Sequence, residues 1–235
     1  MRNLKFPAII VIAIIILQSC SSKPDGMKKA VDKADSASYM IGVSVGHSLK
    51  MQDVPNVNAK LLSQGIMDVL QSDSAISMQE ANMYLSTYFA NLREIKAKEN
   101  LEKGRLFLEE NKNNPGVIET ASGLQYKVIQ EGTGKSPTEN DRVKCHYRGK
   151  FLSGEEFDNS YEKGMPAEFS IKGVIRGWTE GLQLMKEGGK YELYIPSDLA
   201  YGPRGGGQTI GPNEVLVFEI ELLEVISVPE TETNK

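Results

Sequence analysis

The sequence has 235 residues, of which 40% are hydrophobic and 25% charged, as is typical of a globular protein of one or two domains. Its net charge of −4 offers no basic surface to nucleic acid, and residues 120–235 carry 13 Lys and Arg against 18 Asp and Glu. The two histidines, His47 and His146, show no spacing that would pair them as metal ligands. We therefore expect no nucleic-acid partner, no metal and no cofactor.

The N-terminus has the pattern of an export signal. Two basic residues precede an apolar run, Phe6 to Leu17, which is shorter than the roughly 20 residues of a membrane-spanning helix. The following Leu17-Gln-Ser-Cys20 resembles a bacterial lipoprotein signal. We predict a signal peptide over residues 1–20, lipidation of Cys20, a flexible tether over residues 21–34, and anchoring to the outer membrane, facing the periplasm. The alternative is a signal, cleaved in the ordinary way or uncleaved, with an incidental cysteine.

Residues 35–116 have the periodicity of helices, and we predict three of them. One face of the first helix carries Tyr39, Met40, Val43 and His47. Asn56 could begin the second helix, and the capping box Ser77-Met-Gln-Glu80 opens the third, which ends at Pro115-Gly116. From Arg93 to Arg105 the third helix is polar almost all round, so we interpret this stretch as a solvent-bridging stalk between two globular parts.

The helical part contains little apolar surface to bury within one chain, and a domain of about 60 residues is only marginally stable alone. It is rich in methionine, an adaptable apolar side chain that suits interfaces. These residues are Met40, Met51, Met67, Met78 and Met83. They either complete a small core within the chain or form a homodimer interface. We favour the homodimer because it supplies the missing burial.

Residues 117–228 have mostly strand periodicity. The predicted strands are 123–130, 141–149, 166–172, 190–196 and 214–226. One short helix has an apolar face formed by Ile175, Trp178, Leu182 and Met185. An antiparallel sheet wrapped around such a helix is an α+β domain, in which Cys145 is a small core residue. Residues 229–235 are expected to be a frayed tail.

Six aromatic side chains fall on different strands, on the helix and on a loop. They are Tyr147, Phe157, Phe169, Trp178, Tyr201 and Phe218. Together with Asp158 they would build an apolar cleft with one carboxylate, which suits a neutral, bulky ligand better than a phosphate or a metal. Two alternatives stay open: Phe169 is only a core residue, and Asp158 caps a turn. The sequence contains no Gly-x-Ser-x-Gly motif that would support hydrolase chemistry.

Residues 121–226 resemble the FKBP-type peptidyl-prolyl cis-trans isomerases. The motifs that carry the resemblance are Gly123-Leu-Gln-Tyr126, Val143-x-x-His-Tyr147, Gly154-x-x-Phe-Asp158, Val174-Ile-Arg-Gly-Trp178, Ile195-Pro-x-x-Leu-Ala-Tyr-Gly202, Ile210-Gly-Pro212 and Leu216-Val-Phe-Glu-Ile220. Residues 37–116 look like the helical N-terminal domain of exported bacterial members such as macrophage infectivity potentiators. The motifs here are Gly42-Val-Ser-Val-Gly46, Gly65-Ile66 and Gly104-x-x-Phe-Leu-x-x-Asn111. The subfamily resemblance implies a homodimer whose long helices hold the catalytic domains apart.

The resemblance also implies isomerase activity and roles for particular residues. Trp178 would form the floor beneath the proline ring, and Asp158 would oppose the rotating carbonyl. The Ile175 amide and the Tyr201 hydroxyl would hydrogen-bond the peptide carbonyls. The remaining substrate-binding residues would be Tyr147, Phe157, Phe169, Val174, Ile210 and Phe218. The substrates would be proline-containing unfolded or nascent exported polypeptides. The alternative is a holdase chaperone or client-binding module in which isomerase activity is secondary.

Three positions depart from the best-known single-domain members of that family. Ala167 stands where a phenylalanine is usual, Gly173 where a glutamate is usual, and Lys163 where an arginine is often found. Ala167 is expected to widen one wall of the cleft and to weaken macrolide binding without touching the reaction centre.

Overall fold

A computed structural model describes residues 33–52, 54–72 and 74–227. The predicted signal peptide, the lipidation site Cys20 and the tail over residues 229–235 lie outside the described residues. The chain forms two compact units, which part between Met67 and Asp68. Within the described ranges, no helix is long and apolar enough to cross a membrane.

Among the described residues before the sheet domain, the chain forms the three helices that were predicted. Helix α1 spans Lys33–Met51, α2 spans Ala59–Leu70 and α3 spans Met78–Asn111. The last two residues of the predicted tether are therefore helical. The capping box is confirmed, because the Ser77 hydroxyl accepts from the Glu80 N–H while the Glu80 carboxylate accepts from the Ser77 N–H.

The predicted start of α2 was wrong by two residues. The Asn58 side chain, and not that of Asn56, accepts hydrogen bonds from the N–H groups of Lys60 and Leu61, both at 3.1 Å. An N-cap side chain must lie directly before the first turn to reach those donors. Asn56 instead adopts a left-handed backbone with φ of 52° in the preceding turn, a conformation that asparagine tolerates better than most residues.

Burial differs sharply among the three helices. Neither α1 nor α2 buries any residue, whereas α3 buries Asn100, Gly104 and Asn111. Asn111 Nδ2 donates to Oε1 of the buried Gln125 at 2.9 Å, so the end of α3 is fastened to the second strand of the sheet. The prediction that residues 93–105 form a solvent-bridging stalk is wrong for one side of the helix. On that side Ala97, Asn100 and Gly104 lie against residues 212–215 of the sheet domain.

The sheet domain contains seven strands, all antiparallel to their neighbours. They are β1 Val117–Glu119, β2 Gln125–Gln130, β3 Arg142–Phe151, β4 Glu156–Asn159, β5 Ala167–Ser170, β6 Lys190–Ile195 and β7 Leu216–Ile226. The strand order is β1-β2-β6-β7-β3-β4, and β5 pairs with β3. The prediction included five of these strands and missed β1 and β4, which are only three and four residues long.

Helix α4, Arg176–Leu184, lies on the inner face of this sheet. Two of its residues are glycines that permit a close approach to β6. An added Cβ would lie 2.3 Å from the Ile195 side chain at Gly177 and 2.5 Å from the Leu193 side chain at Gly181. Cys145 of β3 is fully buried in the same core, and burial raises the pKa of its thiol to about 12, which confirms that it is a core residue.

Candidate active site

Trp178 lies at the centre of an aromatic cluster because α4 directs it towards the sheet. Its ring centroid lies 5.3 Å from that of Tyr147, 5.3 Å from that of Phe169 and 5.2 Å from that of Phe218, each in an edge-to-face arrangement. Such geometry places the positive edge of one ring against the negative face of the next. The indole is 4% exposed, so it forms a rigid apolar floor.

Phe157 extends the cluster from β4. Its ring meets that of Phe218 edge-to-face at 5.5 Å. Gly149 of β3 makes room for this pair, since an added Cβ would lie 2.7 Å from carbon atoms of both rings. Sequence analysis did not single out Gly149; the only signal was a glycine inside a strand, which often marks a close approach.

A carboxylate borders the apolar cluster. The Tyr147 hydroxyl donates to Asp158 Oδ2 at 2.6 Å, and Lys163 Nζ lies 2.5 Å from Asp158 Oδ1. Burial raises the pKa of Asp158, but the hydrogen bonds from Lys163 and Tyr147 outweigh it, so the net pKa lies below its ordinary value. Asp158 is therefore ionised at neutral pH, and its principal partners are side chains and not the backbone of a turn.

Lys163 is a site residue to which sequence analysis gave no role. It was noted only as a departure from an arginine that is often found there. It follows Asp158 by five residues, in the turn after β4, and nothing in the local pattern indicates that its ammonium returns to that carboxylate. A depression of about 380 Å³ lies on this side of the cleft and is lined by Glu156, Phe157, Asp158, Asn159, Glu162 and Lys163.

The first turn of α4 contributes backbone groups to the cleft. Ile175 is the N-cap residue, and its carbonyl accepts from the N–H groups of Trp178 and Thr179. Among the described residues, no acceptor takes the Ile175 N–H, which leaves it available to a peptide carbonyl. Val174 and Ile175 are half-buried and pack against the core, so both offer apolar surface beside Trp178.

The segment after β6 contains two of the predicted site residues, Tyr201 and Ile210. Ile210 packs against the core, whereas Tyr201 is 42% exposed. The Tyr201 ring lies on the backbone of Gly206, where an added Cβ would be 2.6 Å from Tyr201 Cδ1. Gly206 and Ile210 exchange two backbone hydrogen bonds, both of 3.0 Å, which close this segment into a compact loop.

The β5 strand supplies Phe169 and Ala167, which lie two residues apart on the same face. Phe169 is half-buried and touches the rings of both Tyr147 and Trp178, so it belongs to the aromatic cluster as well as to the core. Ala167 pairs with Cys145 of β3 and packs against the core with only a methyl group. Gly173 is exposed and ends a 3₁₀ turn before α4.

The arrangement offers a neutral ligand apolar walls, one ionised carboxylate and the N–H of Ile175. Within the described ranges, no group of three or more His, Cys, Asp or Glu side chains could hold a metal ion. The aromatic walls and the fixed carboxylate suit a reaction that requires shape and polar contacts at fixed positions.

Comparisons with known proteins agree with this geometry. Residues 133–223 match the family of FKBP-type peptidyl-prolyl cis-trans isomerases, and residues 34–128 match the domain amino terminal to such isomerases. The chain is 39% identical over 219 residues to the outer membrane protein MIP of Legionella longbeachae, covering 90% of this chain and 93% of that protein. It is 41% identical to the peptidyl-prolyl cis-trans isomerase Mip of Coxiella burnetii, covering 81% of this chain and 86% of that one.

A solved structure shows the same fold. The crystal structure of FkpA from Escherichia coli superimposes with a TM-score of 0.64 at 36% identity, covering 85% of this chain and 99% of that chain. The predicted combination of N-terminal helices with an FKBP-like sheet domain is thus confirmed. The chain belongs to the FKBP-type peptidyl-prolyl cis-trans isomerases.

Proposed function

We propose that the aromatic cleft around Trp178 is where this isomerase binds X-Pro segments of unfolded or nascent exported polypeptides and accelerates their rotation. One observation carries the proposal. The buried Trp178 ring is framed by three perpendicular aromatic rings, and one of them, Tyr147, donates to the ionised Asp158 at the border of the cleft. A proline ring requires an apolar floor of this kind.

Rotation of an X-Pro bond needs no proton transfer and no covalent intermediate. The barrier of roughly 20 kcal/mol arises because the amide loses resonance as it twists. The twisted amide is less conjugated and depends less on water, so a dry, apolar cleft stabilises it relative to the planar ground state. The half-buried walls Phe157, Val174 and Ile210 exclude water from that cleft.

The polar groups have separate roles in this mechanism. The Ile175 N–H and the Tyr201 hydroxyl donate to the peptide carbonyls on either side of the proline and fix the chain. Asp158 opposes the rotating carbonyl, and its charge is held in place by Tyr147 and Lys163. Because Tyr147 and Lys163 already occupy the carboxylate, Asp158 acts electrostatically from a fixed position, not as a base.

The test is isomerisation of a tetrapeptide containing one X-Pro bond by purified residues 21–235. We expect a rate well above the uncatalysed background. A rate equal to the background, for a protein whose Trp178 fluorescence shows a folded sheet domain, would refute the assignment of the cleft.

We also propose that the helical part forms a homodimer. All five methionines named above are exposed in the single chain, from 43% for Met67 to 74% for Met78. An apolar groove of about 720 Å³ lies at the start of α3 and is lined by Ile76, Glu80, Ala81, Met83, Tyr84, Leu85 and Thr87. Apolar surface this extensive is rare on a monomer and marks an interface. A second copy of the same chain is the occupant that the subfamily resemblance supports.

Export and anchoring complete the proposal. The N-terminal signal pattern supports a periplasmic, lipid-anchored protein, and so does the similarity to a relative named as an outer membrane protein. Labelling cells with a radioactive fatty acid should mark the wild-type chain, whereas Cys20→Ala should abolish the label. Labelling of Cys20→Ala equal to that of wild type would refute lipidation at this residue.

The exposed apolar groove also keeps a holdase role open as a second function. If the groove binds clients, a variant with strongly reduced isomerase activity, Asp158→Leu, should still suppress the aggregation of an unfolded protein as well as wild type does. If suppression falls in proportion to isomerase activity, holding is not a separate function.

A further inference from the structure

The segment Gly202–Val215, here named the cleft loop, contacts α3 as well as the cleft. The Arg93 guanidinium donates to the carbonyl oxygen of Arg204. Nearer the other end of the loop, Asn213 Nδ2 donates to the carbonyl oxygen of Ala97 at 3.1 Å. These α3 residues lie four positions apart, so they share one face of the helix.

Asn100 makes the most buried of these contacts. Its side chain is only 8% exposed, and Nδ2 donates to the Pro212 carbonyl oxygen at 2.8 Å and to Glu214 Oε1 at 2.9 Å. A carboxamide has two N–H groups, and both are directed at the cleft loop. Because burying a polar group costs free energy unless it is hydrogen-bonded, this asparagine fits its site only while the loop is in place.

A glycine lets the helix approach closely enough for these bonds. An added Cβ at Gly104 would lie 2.6 Å from Val215 Cγ2, which is closer than any real contact. Gly104 lies one helical turn after Asn100, so the two residues present the same face of α3 to the last residues of the cleft loop.

The loop residues that α3 contacts are close in sequence, or joined by a hydrogen bond, to the predicted site residues Ile210 and Tyr201. Pro212 is two residues from Ile210, which packs against the core. The Asn213 N–H donates to the Gly202 carbonyl at 2.9 Å, and Gly202 directly follows Tyr201. Asn213 thus joins the two ends of the cleft loop and also donates to α3, so the helix contacts the loop at the point where its ends come together.

We propose that Asn100 is a positioning residue for the isomerase reaction, which holds the cleft loop so that Tyr201 and Ile210 remain at the cleft. This inference rests on the proposed function of the cleft. It also extends the catalytic unit backwards along the chain to Arg93, some 24 residues before the boundary at residue 117 that the sequence suggested. In this protein α3 is then part of the active-site framework.

The test compares Asn100→Ala with Asn91→Ala, an exposed asparagine on the same helix, both in residues 21–235. We expect Asn100→Ala to lower kcat/KM for a proline tetrapeptide by about three- to ten-fold, the size of one or two lost hydrogen bonds. Hydrogen exchange should become faster at the amides of Gly206, Ile210 and Asn213 and stay unchanged at β3. The Asn91→Ala variant should match wild type in both measurements.

A second variant keeps the proposal testable if Asn100→Ala does not fold. Asn213→Asp tolerates the left-handed backbone at that position but removes the donor to Ala97, so it should accelerate exchange in the same loop and lower the rate. A folded Asn100→Ala variant with wild-type kcat/KM would overturn the proposal, whatever its exchange. Loss of protection in β3 as well would show a merely structural role and would overturn it too. Inactivity of wild type and Asn91→Ala alike would instead refute the proposed function of the cleft.

Discussion

The helical part and the sheet domain of this chain use apolar side chains in opposite ways. In the sheet domain, alternate residues of β3, β6 and β7 meet α4, and large side chains such as Leu193 and Ile220 are fully buried. In α1 and α2 no side chain is buried, and even the large apolar residues Ile41, Leu61 and Leu70 are each at least 65% exposed. One region completes its core within the chain, and the other leaves large apolar side chains exposed in the single chain.

This difference separates two sources of stability. Each fully buried leucine or isoleucine contributes about 1.5–3 kcal/mol relative to an exposed one, so the sheet domain gains its stability from its own sequence. If a second chain covers the helical part, as we propose, that part gains the same contribution and its stability depends on protein concentration. The two regions should therefore respond differently to the same kind of substitution.

The largest expected effect tests whether the exposed helical surface is covered in solution. Leu61→Asp places a charge at a side chain that is 68% exposed in the single chain. If a second copy covers this position, the dimer must bury an unpaired charge. We therefore expect the Kd of the homodimer to rise by at least 100-fold, which is about 2.7 kcal/mol. Sedimentation velocity at micromolar concentration measures the change.

The control is Ser63→Asp, which adds the same charge to the exposed Ser63 two residues along α2, on another face of the helix. It should remain dimeric. A wild-type chain that sediments as a monomer, or a Leu61→Asp chain as dimeric as wild type, would mean that this apolar face stays open to solvent.

The second prediction concerns the charge beside the closed core of the sheet domain. Asp158→Leu removes the carboxylate at similar volume and leaves the Tyr147 hydroxyl and Lys163 without it. We expect kcat to fall at least ten-fold, because the electrostatic contribution to the twisted state is lost. The affinity for a proline-containing ligand should fall less, since the aromatic floor is intact. Glu155→Leu, at an exposed carboxylate three residues earlier, is the matched control.

A smaller loss is expected at the exposed edge of the cleft. Tyr201→Phe keeps the ring and removes one hydroxyl, so the rate should fall by about five-fold, or about 1 kcal/mol. Tyr161→Phe removes a hydroxyl that donates to Glu221 and should leave the rate unchanged. Complete inactivity of a folded Tyr201→Phe variant would indicate acid–base chemistry and contradict the mechanism proposed here.

The sequence predicted the closed region better than the open one. Strict alternation identified β6 and β7, and the spacing of Trp178, Leu182 and Met185 identified the apolar face of α4, because burial on one side of an element imposes a period. Strands β1 and β4 are too short to show any period. In α3, Asn100 and Gly104 are buried through hydrogen bonds and a close backbone approach, and neither contact has a hydrophobic signature.

In the site, too, the apolar residues could be predicted from the sequence and the polar contacts could not. The aromatic residues could be collected from their spacing and from the family motifs, and the structure does bring Tyr147, Phe169 and Phe218 around Trp178. The partners of Asp158 could not be predicted. Their positions depend on the β3–β4 pairing and on the turn that follows, which only the folded chain defines.

The smallest expected effect is the absence of a pH dependence between pH 6 and 8. The pKa of Asp158 is lowered from 3.8, so its charge is present above that value and is lost only as pH falls through the lowered pKa. The pKa of Tyr147 is raised from 10.0, chiefly by burial, and that of Lys163 from 10.5, chiefly by its hydrogen bond to Asp158, so both stay protonated. We expect kcat/KM to vary by less than about two-fold from pH 6 to 8. A steep change in this range that is absent from the Asp158→Leu variant would show that Asp158 exchanges a proton during the reaction, and the electrostatic role given to Asp158 would then be wrong.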